Sequence, residues 1–434
     1  MNRVQITIVT YNWPPRNAIG THRPYSWAKY WSELGAQVKI LTAKKYNFDA
    51  PLDLILPELP GIEVHEIPYM RRFSPAASTF RVPALLSLAR RFKSSISQNI
   101  GFNVDPRQRW FKAAQPIALH LSHDSDIVVS TFGPPASHLI ACEMKRVNPE
   151  LRWVADYRDL WSIRHNSNLP LRKQQQAQET ERRSVGKYAD VLTTVSEELA
   201  SQLNELFNRS TEVITNGFDI SEQELRQNLS YRKKENGLPI RIVYTGMIHR
   251  NHQDPRPLLE ALVSMRENKL IGPDDITVDF YGARIDWAKE LAQQPRFSPF
   301  IRTMGHVPRE EALVAQKDAN LLLLLESGAS EAKGVLTGKV FEYISSGTPV
   351  LSVGSALNSA IDKLLTQTGC GVCVQDDISV IQEVVSDVIE NGTPKFFKPH
   401  IGEFMKYSRK HQAQKMFEVL FYKDSMPGQG QSER

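Results

Sequence analysis

The sequence predicts an α/β protein of the doubly wound kind, with two parallel-sheet, Rossmann-like domains. Three observations carry that expectation. Short apolar runs recur along the chain, each followed by a helix-length stretch, the pattern of parallel strands and their crossovers. The alternation halts over a polar stretch at residues 221–237 and then restarts. At 434 residues, the chain also exceeds what one hydrophobic core usually serves.

In the first half, strands are expected at 4–10, 37–42, 126–131, 151–156, 190–195 and 211–215. Helices fill 22–34, 135–147, 171–187 and 196–207. Asn216-Gly217 marks a turn. In the second half, strands fall at 240–246, 276–282, 301–307, 319–325, 349–353 and 371–375. Their helices lie at 255–267, 285–294, 308–317, 337–346, 357–367 and 377–390. The domain boundaries expected are 1–220, a linker over 221–237, and 238–395, with a helix and tail over 396–434 packing back on the first domain. Two such domains imply a cleft at the carboxyl ends of their sheets, where ligands usually bind.

Composition narrows the function classes. A hydrophobic content of 41% with 23% charged residues is that of a folded protein, not a disordered one. The net charge of +5 is small for the length and shows no stripe of the kind a nucleic-acid binder needs. Three cysteines are too few for a disulfide framework. Cys370 and Cys373 form a C-x-x-C without a second pair, which reads as a strand-entry turn before it reads as zinc. The amino terminus reads as a short strand, not a signal peptide, and no run approaches ~20 apolar residues, so a cytoplasmic protein is expected.

One segment departs from the alternation. Residues 81–112 carry Arg81, Arg90, Arg91, Lys93, Arg107, Arg109 and Lys112 against a single acid, Asp105. Such a basic amphipathic stretch can lie on an anionic membrane surface, giving a peripheral contact at the membrane's inner face. It can equally be a helix packed on the first sheet with a solvated basic face.

The stretch from 319 to 354 bears the clearest chemistry. Asn320 to Leu325 is almost purely leucine and fits a strand buried on both faces. It ends at Glu326, and the loop Ser327-Gly328-Ala329-Ser330-Glu331-Ala332-Lys333-Gly334 leads to a helix opening at Thr337-Gly338-Lys339-Val340-Phe341-Glu342-Tyr343. Gly334 and Gly338 let a ligand approach the backbone. Free N–H groups at a helix N-terminus carry about half a positive charge and suit a diphosphate. Lys339 adds a point charge, and Glu342, one turn on, can accept two hydroxyl hydrogen bonds from a ribose. The plainer alternative is an ordinary strand-to-helix crossover with a solvent-facing glutamate.

The stretch Gly-Lys-Val-Phe-Glu-Tyr-Ile-Ser-Ser-Gly-Thr-Pro-Val-Leu (338–351) resembles the donor-site helix of family 4 glycosyltransferases, which have the GT-B fold. Three other stretches agree in order and spacing. Thr10-Tyr11-Asn12-Trp13-Pro14-Pro15 with Gly20 resembles the family's first-strand loop. Tyr188 to Ser196 with Thr215-Asn216-Gly217-Phe218-Asp219 resembles its mid-chain signature, and Val243-Tyr244-Thr245-Gly246 the strand that opens its nucleotide domain. The resemblance spans about residues 4 to 390.

That resemblance implies a retaining, metal-independent hexosyltransferase whose donor is a nucleotide-diphosphate sugar and whose acceptor is a polysaccharide or a lipid-linked oligosaccharide. By it, Glu342 holds the ribose, and Arg250, with Lys339, holds the diphosphate near Gly246. His306 and Val307, after Gly305, lie where relatives read the nucleobase by backbone. The family commonly has an acidic residue near the donor sugar eight positions before the glutamate. Gly334 stands there, so sugar contacts would fall to the backbone of Gly334, Val335 and Leu336, or to Glu331. In the first half, Gly20 sits in a constrained loop that can approach a phosphate or sugar. Asp156-Tyr157-Arg158-Asp159 follows a strand into the expected cleft. Asp159 and Asp156 can position a sugar or an acceptor hydroxyl, or Arg158 and Asp159 can be a buried pair bracing the loop. Arg107 and Trp110 are placed on the acceptor side. A non-catalytic nucleotide-sugar-binding subunit and a nucleotide-sugar epimerase are the competing readings.

Overall fold

The computed structural model describes residues 3–49, 51–70, 106–162, 170–230, 239–250, 252–328, 333–334 and 336–421. The chain forms two compact units. Unit 1 comprises Met1–Thr194, Ala200–Val213 and Ala413–Arg434, and unit 2 comprises Val195–Leu199 and Ile214–Gln412.

Unit 1 is built on a parallel seven-stranded sheet: β1 (Gln5–Val9), β2 (Gln37–Ala43), β3 (Glu63–Ile67), β4 (Ile127–Thr131), β5 (Arg152–Tyr157), β6 (Val191–Thr194) and β7 (Glu212–Val213), in the order β3-β2-β1-β4-β5-β6-β7. β1 is central, with Ile8 paired to Ile40 on one side and to Val129 on the other. From Ile6 to Val9 every residue is buried, Thr7 included, as in a parallel sheet covered on both faces. After β1, helix α1 (Ile19–Glu33) leads into β2. Trp27 and Trp31 of α1 stack at 5.5 Å. Trp31 donates through Nε1 to the carbonyl of Ala413 at 2.9 Å, tying the C-terminal helix into this unit.

Unit 2 holds a parallel six-stranded sheet in the order β10-β9-β8-β11-β12-β13. The strands are β8 (Ile240–Thr245), β9 (Ile276–Tyr281), β10 (Ile301–Gly305), β11 (Leu321–Leu325), β12 (Val350–Val353) and β13 (Gly371–Cys373). The five leucines of β11 divide by the two-residue strand period. Leu321, Leu323 and Leu325 join the core on one face, and Leu322 and Leu324 the core on the other. Each fully buried leucine contributes roughly 1.5–3 kcal/mol. Cys370, just before β13, and Cys373, at its end, are buried thiols, both pushed up to about 12 by burial.

The expected strands and helices are present within a few residues of their predicted bounds, with two additions. The edge strand β3 alternates polar and apolar residues weakly, and helix α2 (Arg109–His123) carries an internal Pro116 that masks its period. The linker expected over 221–237 is corrected in its first half. Helix α3 (Glu222–Ser230) occupies it, opened by a capping box in which Ser221 N donates to Glu224 Oε2 at 2.8 Å and Glu224 N to Ser221 Oγ at 3.1 Å. Leu225 is the one buried residue of that helix, so its sequence shows no apolar stripe. Residues 81–105 of the basic segment lie outside the described residues, while Arg109 and Lys112 are exposed on α2. Among the described residues no helix is long and apolar enough to cross a membrane.

Candidate functional site

In unit 2 the strand order reverses between β8 and β11, and the candidate site gathers at the carboxyl ends of these two strands. β8 is followed by Gly246, whose φ of +125° is a conformation that L side chains rarely adopt. Behind it, Tyr244 donates to the carbonyl of Met247 at 2.5 Å, and Thr245 N donates to Tyr343 Oη at 2.7 Å. The strand end is thereby fixed to the helix that carries the motif residues, α4 (Gly338–Ser345).

α4 opens without a side-chain cap, because the hydroxyl of the N-cap residue Thr337 is turned to Glu326 Oε1 at 3.2 Å. Its first N–H groups are therefore left without a side-chain cap, as a helix N-terminus that takes a diphosphate requires. Lys339 leaves the first turn in the same direction. Its Nζ donates to Tyr244 Oη at 2.8 Å and would lie 3.0 Å from a Cβ at Gly246, so the ammonium covers the glycine turn. Burial pushes Lys339 down to about 8, against the pull of Glu326 and then Glu342. Burial pushes Glu326 up to about 7, opposed by Lys339 and by the Thr337 hydroxyl. A buried ammonium and carboxylate thus stand together at the helix opening, each raising the other's charged population.

Glu342 lies one turn deeper, about a quarter exposed. Arg309 Nη2 reaches its Oε2 at 2.7 Å, and Gln316 Nε2 donates to its Oε1 at 2.8 Å. Gln316 is fully buried and also donates to Thr245 Oγ1 at 3.0 Å, linking Glu342 to the β8 end. Both oxygens are oriented and each keeps lone-pair capacity for a ligand hydroxyl. Sequence reasoning missed Arg309 and Gln316. Both lie on helix α5 (Arg309–Asp318), whose position beside α4 is a tertiary outcome without a local motif.

The loop beyond β8 lines a cavity of about 460 Å³ with Arg250, His252, Gln253, Glu326, Gly328 and Gly354. Arg250 shares that cavity with Glu326, yet its guanidinium pairs with Glu290 at 2.8 Å and lies 5.7 Å from the Trp287 ring. Both partners of that pair are more than half exposed, so a phosphate can compete for Arg250 at small cost. Gly305 turns with φ +76° at the end of the edge strand β10, leaving His306 exposed and Val307 partly buried against the core.

Gly334 is buried against a different wall. Its carbonyl accepts from Ser196 Oγ at 2.7 Å, and a Cβ on it would sit 2.7 Å from the Cβ of Glu198. A side chain at that position would require Glu198 or the loop to shift. Leu336 is buried in the unit-2 core, whereas Val335 and Glu331 lie outside the described residues. Gly338 opens α4.

Within unit 1 two expectations are corrected. Asp156 does not present its carboxylate to a ligand: it is fully buried and saturated. Arg23 Nη2 and Nε donate to it at 2.6 and 3.1 Å, with Thr131 and Thr193 hydroxyls at 2.9 Å each. The buried pair bracing this loop is thus Arg23–Asp156, and Arg158–Asp159 is not that pair. Asp156 lies within β5, which is buried on both faces, whereas Asp159 lies beyond the strand end and is exposed. Arg158 instead donates to the carbonyl of Phe132 at 2.9 Å and lies over Gly20, where a Cβ would come within 1.8 Å of Nη1. Trp110 is fully buried edge-on to Tyr11 at 5.7 Å, and Arg107 sits over the same ring at 5.7 Å.

No family model and no curated protein sequence matches the chain. Solved structures do. The OtsA apo structure is similar with a TM-score of 0.59 at 12% identity, covering 97% of this chain and 99% of that one. S. aureus MnaA in complex with UDP gives 0.42 at 11% identity over 96% of this chain and 95% of that one. A Listeria monocytogenes protein assigned as a UDP-N-acetylglucosamine 2-epimerase gives 0.47 at 11% identity, over 96% of each chain. Two Rossmann-like units with parallel sheets of seven and six strands, together with the likeness to OtsA, give the chain the GT-B fold.

Proposed function

We propose that the protein is a retaining glycosyltransferase that moves a sugar from a nucleotide-diphosphate sugar to a polysaccharide or lipid-linked oligosaccharide acceptor. The observation that carries this reading is the joint placement, at one strand switch, of the uncapped α4 N-terminus, the Lys339 ammonium over the Gly246 turn, and a Glu342 carboxylate held by Arg309 and Gln316. The four sequence motifs in family order support the same reading.

In this scheme the α4 N–H groups and Lys339 take the diphosphate, and Arg250 joins them on releasing Glu290. Glu342 accepts the ribose hydroxyls, while the backbone at His306 and Val307 meets the base. Charge on the departing diphosphate grows as the glycosidic bond breaks. Fixed donors that are already in place stabilise that charge without reorganising, which is electrostatic catalysis. Gly334 and Leu336 belong to the segment that meets the sugar by backbone, and Asp159 is an exposed carboxylate that unit 1 offers to an acceptor. The basic character of residues 81–112 favours a lipid-linked acceptor at a membrane surface.

The glycine at 334, packed against Glu198, favours one other reading, a nucleotide-sugar-binding subunit without transfer activity, because no carboxylate stands there. Incubation with a panel of nucleotide sugars, with and without glycan acceptors, separates the two. Transfer predicts nucleoside-diphosphate release that rises with acceptor and a product retaining the donor's anomeric configuration. Binding without release supports the subunit, and a changed sugar still attached to nucleotide would make the protein an epimerase.

A further inference from the structure

Glu326 is the first residue past β11, and it belongs to two surroundings at once. On one side its Oε1 accepts from the Thr337 hydroxyl at the opening of α4. On the other it lines the cavity of about 460 Å³, together with Arg250, Gln253, Gly328, Gly354 and Asp376. Its second oxygen, Oε2, accepts no hydrogen bond among the described residues. Lys339, α4 and Glu342 account for a diphosphate and a ribose, and they leave this carboxyl without a role.

The sheet sets the cavity apart from the ribose position. α4 and α5 pack on the core that contains Leu322 and Leu324, and Glu342 lies there with Arg309 and Gln316. Helices α6 (Arg256–Glu267) and α7 (Ile378–Asn391) pack on the opposite core, with Leu321, Leu323 and Leu325. The cavity is lined from the starts of these two helices, by Arg256 and by Asp376. Several of its polar side chains are already engaged. Gln253 accepts from His249 N and donates to the Leu325 carbonyl, both at 2.9 Å. Arg256 is held by Asp254, with Nη2 to Oδ2 at 2.6 Å. Glycines leave bare backbone between them: Gly354 turns with φ +86°, and a Cβ at Gly328 would lie 3.0 Å from the Gly354 carbonyl. Glu326 and the exposed Asp376 are the lining carboxyl groups that no arginine pairs with among the described residues. The volume falls within the roughly 300–1,000 Å³ of small-molecule sites. Carboxyl groups over bare backbone suit a ligand rich in hydroxyls and oppose one that carries its own carboxylate.

We propose that this cavity receives the donor's sugar, a neutral hexose or N-acetylhexosamine, and that Glu326 binds its hydroxyls through Oε2. The inference rests on the glycosyltransferase reading, which lays the diphosphate on the α4 opening and Lys339. Thr337 joins Glu326 to that opening, so a sugar carried beyond the diphosphate, away from the ribose at Glu342, meets this carboxyl. A hexuronic acid would bring a third carboxyl group towards Glu326 and Asp376 and is disfavoured.

Titration calorimetry of the full chain compares nucleotide with nucleotide sugar. The probes are UDP, UDP-glucose, UDP-galactose, UDP-N-acetylglucosamine and UDP-glucuronic acid, with GDP and GDP-mannose as a second pair. Wild type should bind at least one neutral sugar nucleotide more tightly than UDP-glucuronic acid. In Glu326→Gln the affinity for that sugar nucleotide, relative to its free nucleotide, should fall roughly tenfold or more, as loss of a charge-assisted contact does. The free nucleotide should hold within about threefold, because glutamine keeps the shape and an acceptor for Thr337. A fall of both by the same factor in a folded variant would make Glu326 a support for Lys339 and overturn the proposal. Unchanged relative affinity would overturn it too and leave the donor reading standing. Tightest binding of UDP-glucuronic acid by wild type would overturn the neutral sugar class. Should Glu326→Gln not fold, Asp376→Asn reads the same cavity from an exposed position: the preference for UDP-glucose over UDP-glucuronic acid should narrow, and an unchanged preference overturns the assignment. A wild type that binds none of the probes would overturn the donor reading and this inference with it.

Discussion

Arg309 Nη2 stands 2.7 Å from Glu342 Oε2, so the carboxylate proposed to receive a ribose is already oriented by a cation from a neighbouring helix. The arginine is more than half exposed, so the pair contributes at most about 1 kcal/mol. Its place at the site makes it a competitor for ribose hydroxyls. Arg309→Ala is expected to change the unfolding free energy by less than about 1 kcal/mol and to leave nucleoside-diphosphate affinity unchanged or up to about fivefold tighter. Titration calorimetry with chemical denaturation checks both. A large loss of affinity would mean that Arg309 itself binds the nucleotide.

Lys339 gives a pH signature. Its folded value of about 8 lies below the ordinary 10.5, so between these limits the unfolded chain binds more protons than the fold. This group therefore adds stability as pH rises through that window. Binding moves the other way, because the diphosphate needs the ammonium. Affinity should fall by up to roughly tenfold per pH unit above pH 8 in wild type and lose that slope in Lys339→Arg. Affinity that stays flat to pH 10 would remove Lys339 from the site.

Gly334 tests how the loop is packed. Restoring a carboxylate by Gly334→Glu should destabilise the protein by about 1–3 kcal/mol through collision with Glu198 and loss of the Ser196 bond, without raising activity. Thermal unfolding with a turnover assay reads both. A stable and more active variant would show that the loop can make room.

Asp156 should behave as a structural residue. Asp156→Ala removes the carboxylate that Arg23 pairs with in the core and is expected to cost about 3–5 kcal/mol, whereas Asp159→Ala should leave stability within about 0.5 kcal/mol. Urea unfolding of the two variants distinguishes them. Equal stabilities would contradict the saturated geometry of Asp156.

Most of the fold was legible because it rests on local patterns. The leucine run of β11 and the helix signature from Gly338 to Ser346 were legible as a strand and its following helix, whereas the strand order that makes a switch point there came only with the sheet. Pairings that join distant segments were not legible. Gln316 reaches Glu342 and Thr245 only because α5 packs beside β8, and Arg23 reaches Asp156 across 133 positions. The polar face of α3 hid a helix held by its cap and by Leu225. Adjacency suggested Arg158–Asp159, but Asp156 lies inside a strand buried on both faces while Asp159 lies beyond its end, and the packing of Gly334 against Glu198 had no local signal.

Titration calorimetry of UDP against wild type and Glu342→Ala tests most directly the claim that α4 forms a nucleotide site. Removal of the carboxylate deletes charged acceptors worth about 1.5–3 kcal/mol, so affinity should fall roughly 10- to 150-fold while the thermal midpoint of the unliganded protein stays near wild type. Equal UDP affinity in the two proteins, with both folded, would contradict the account.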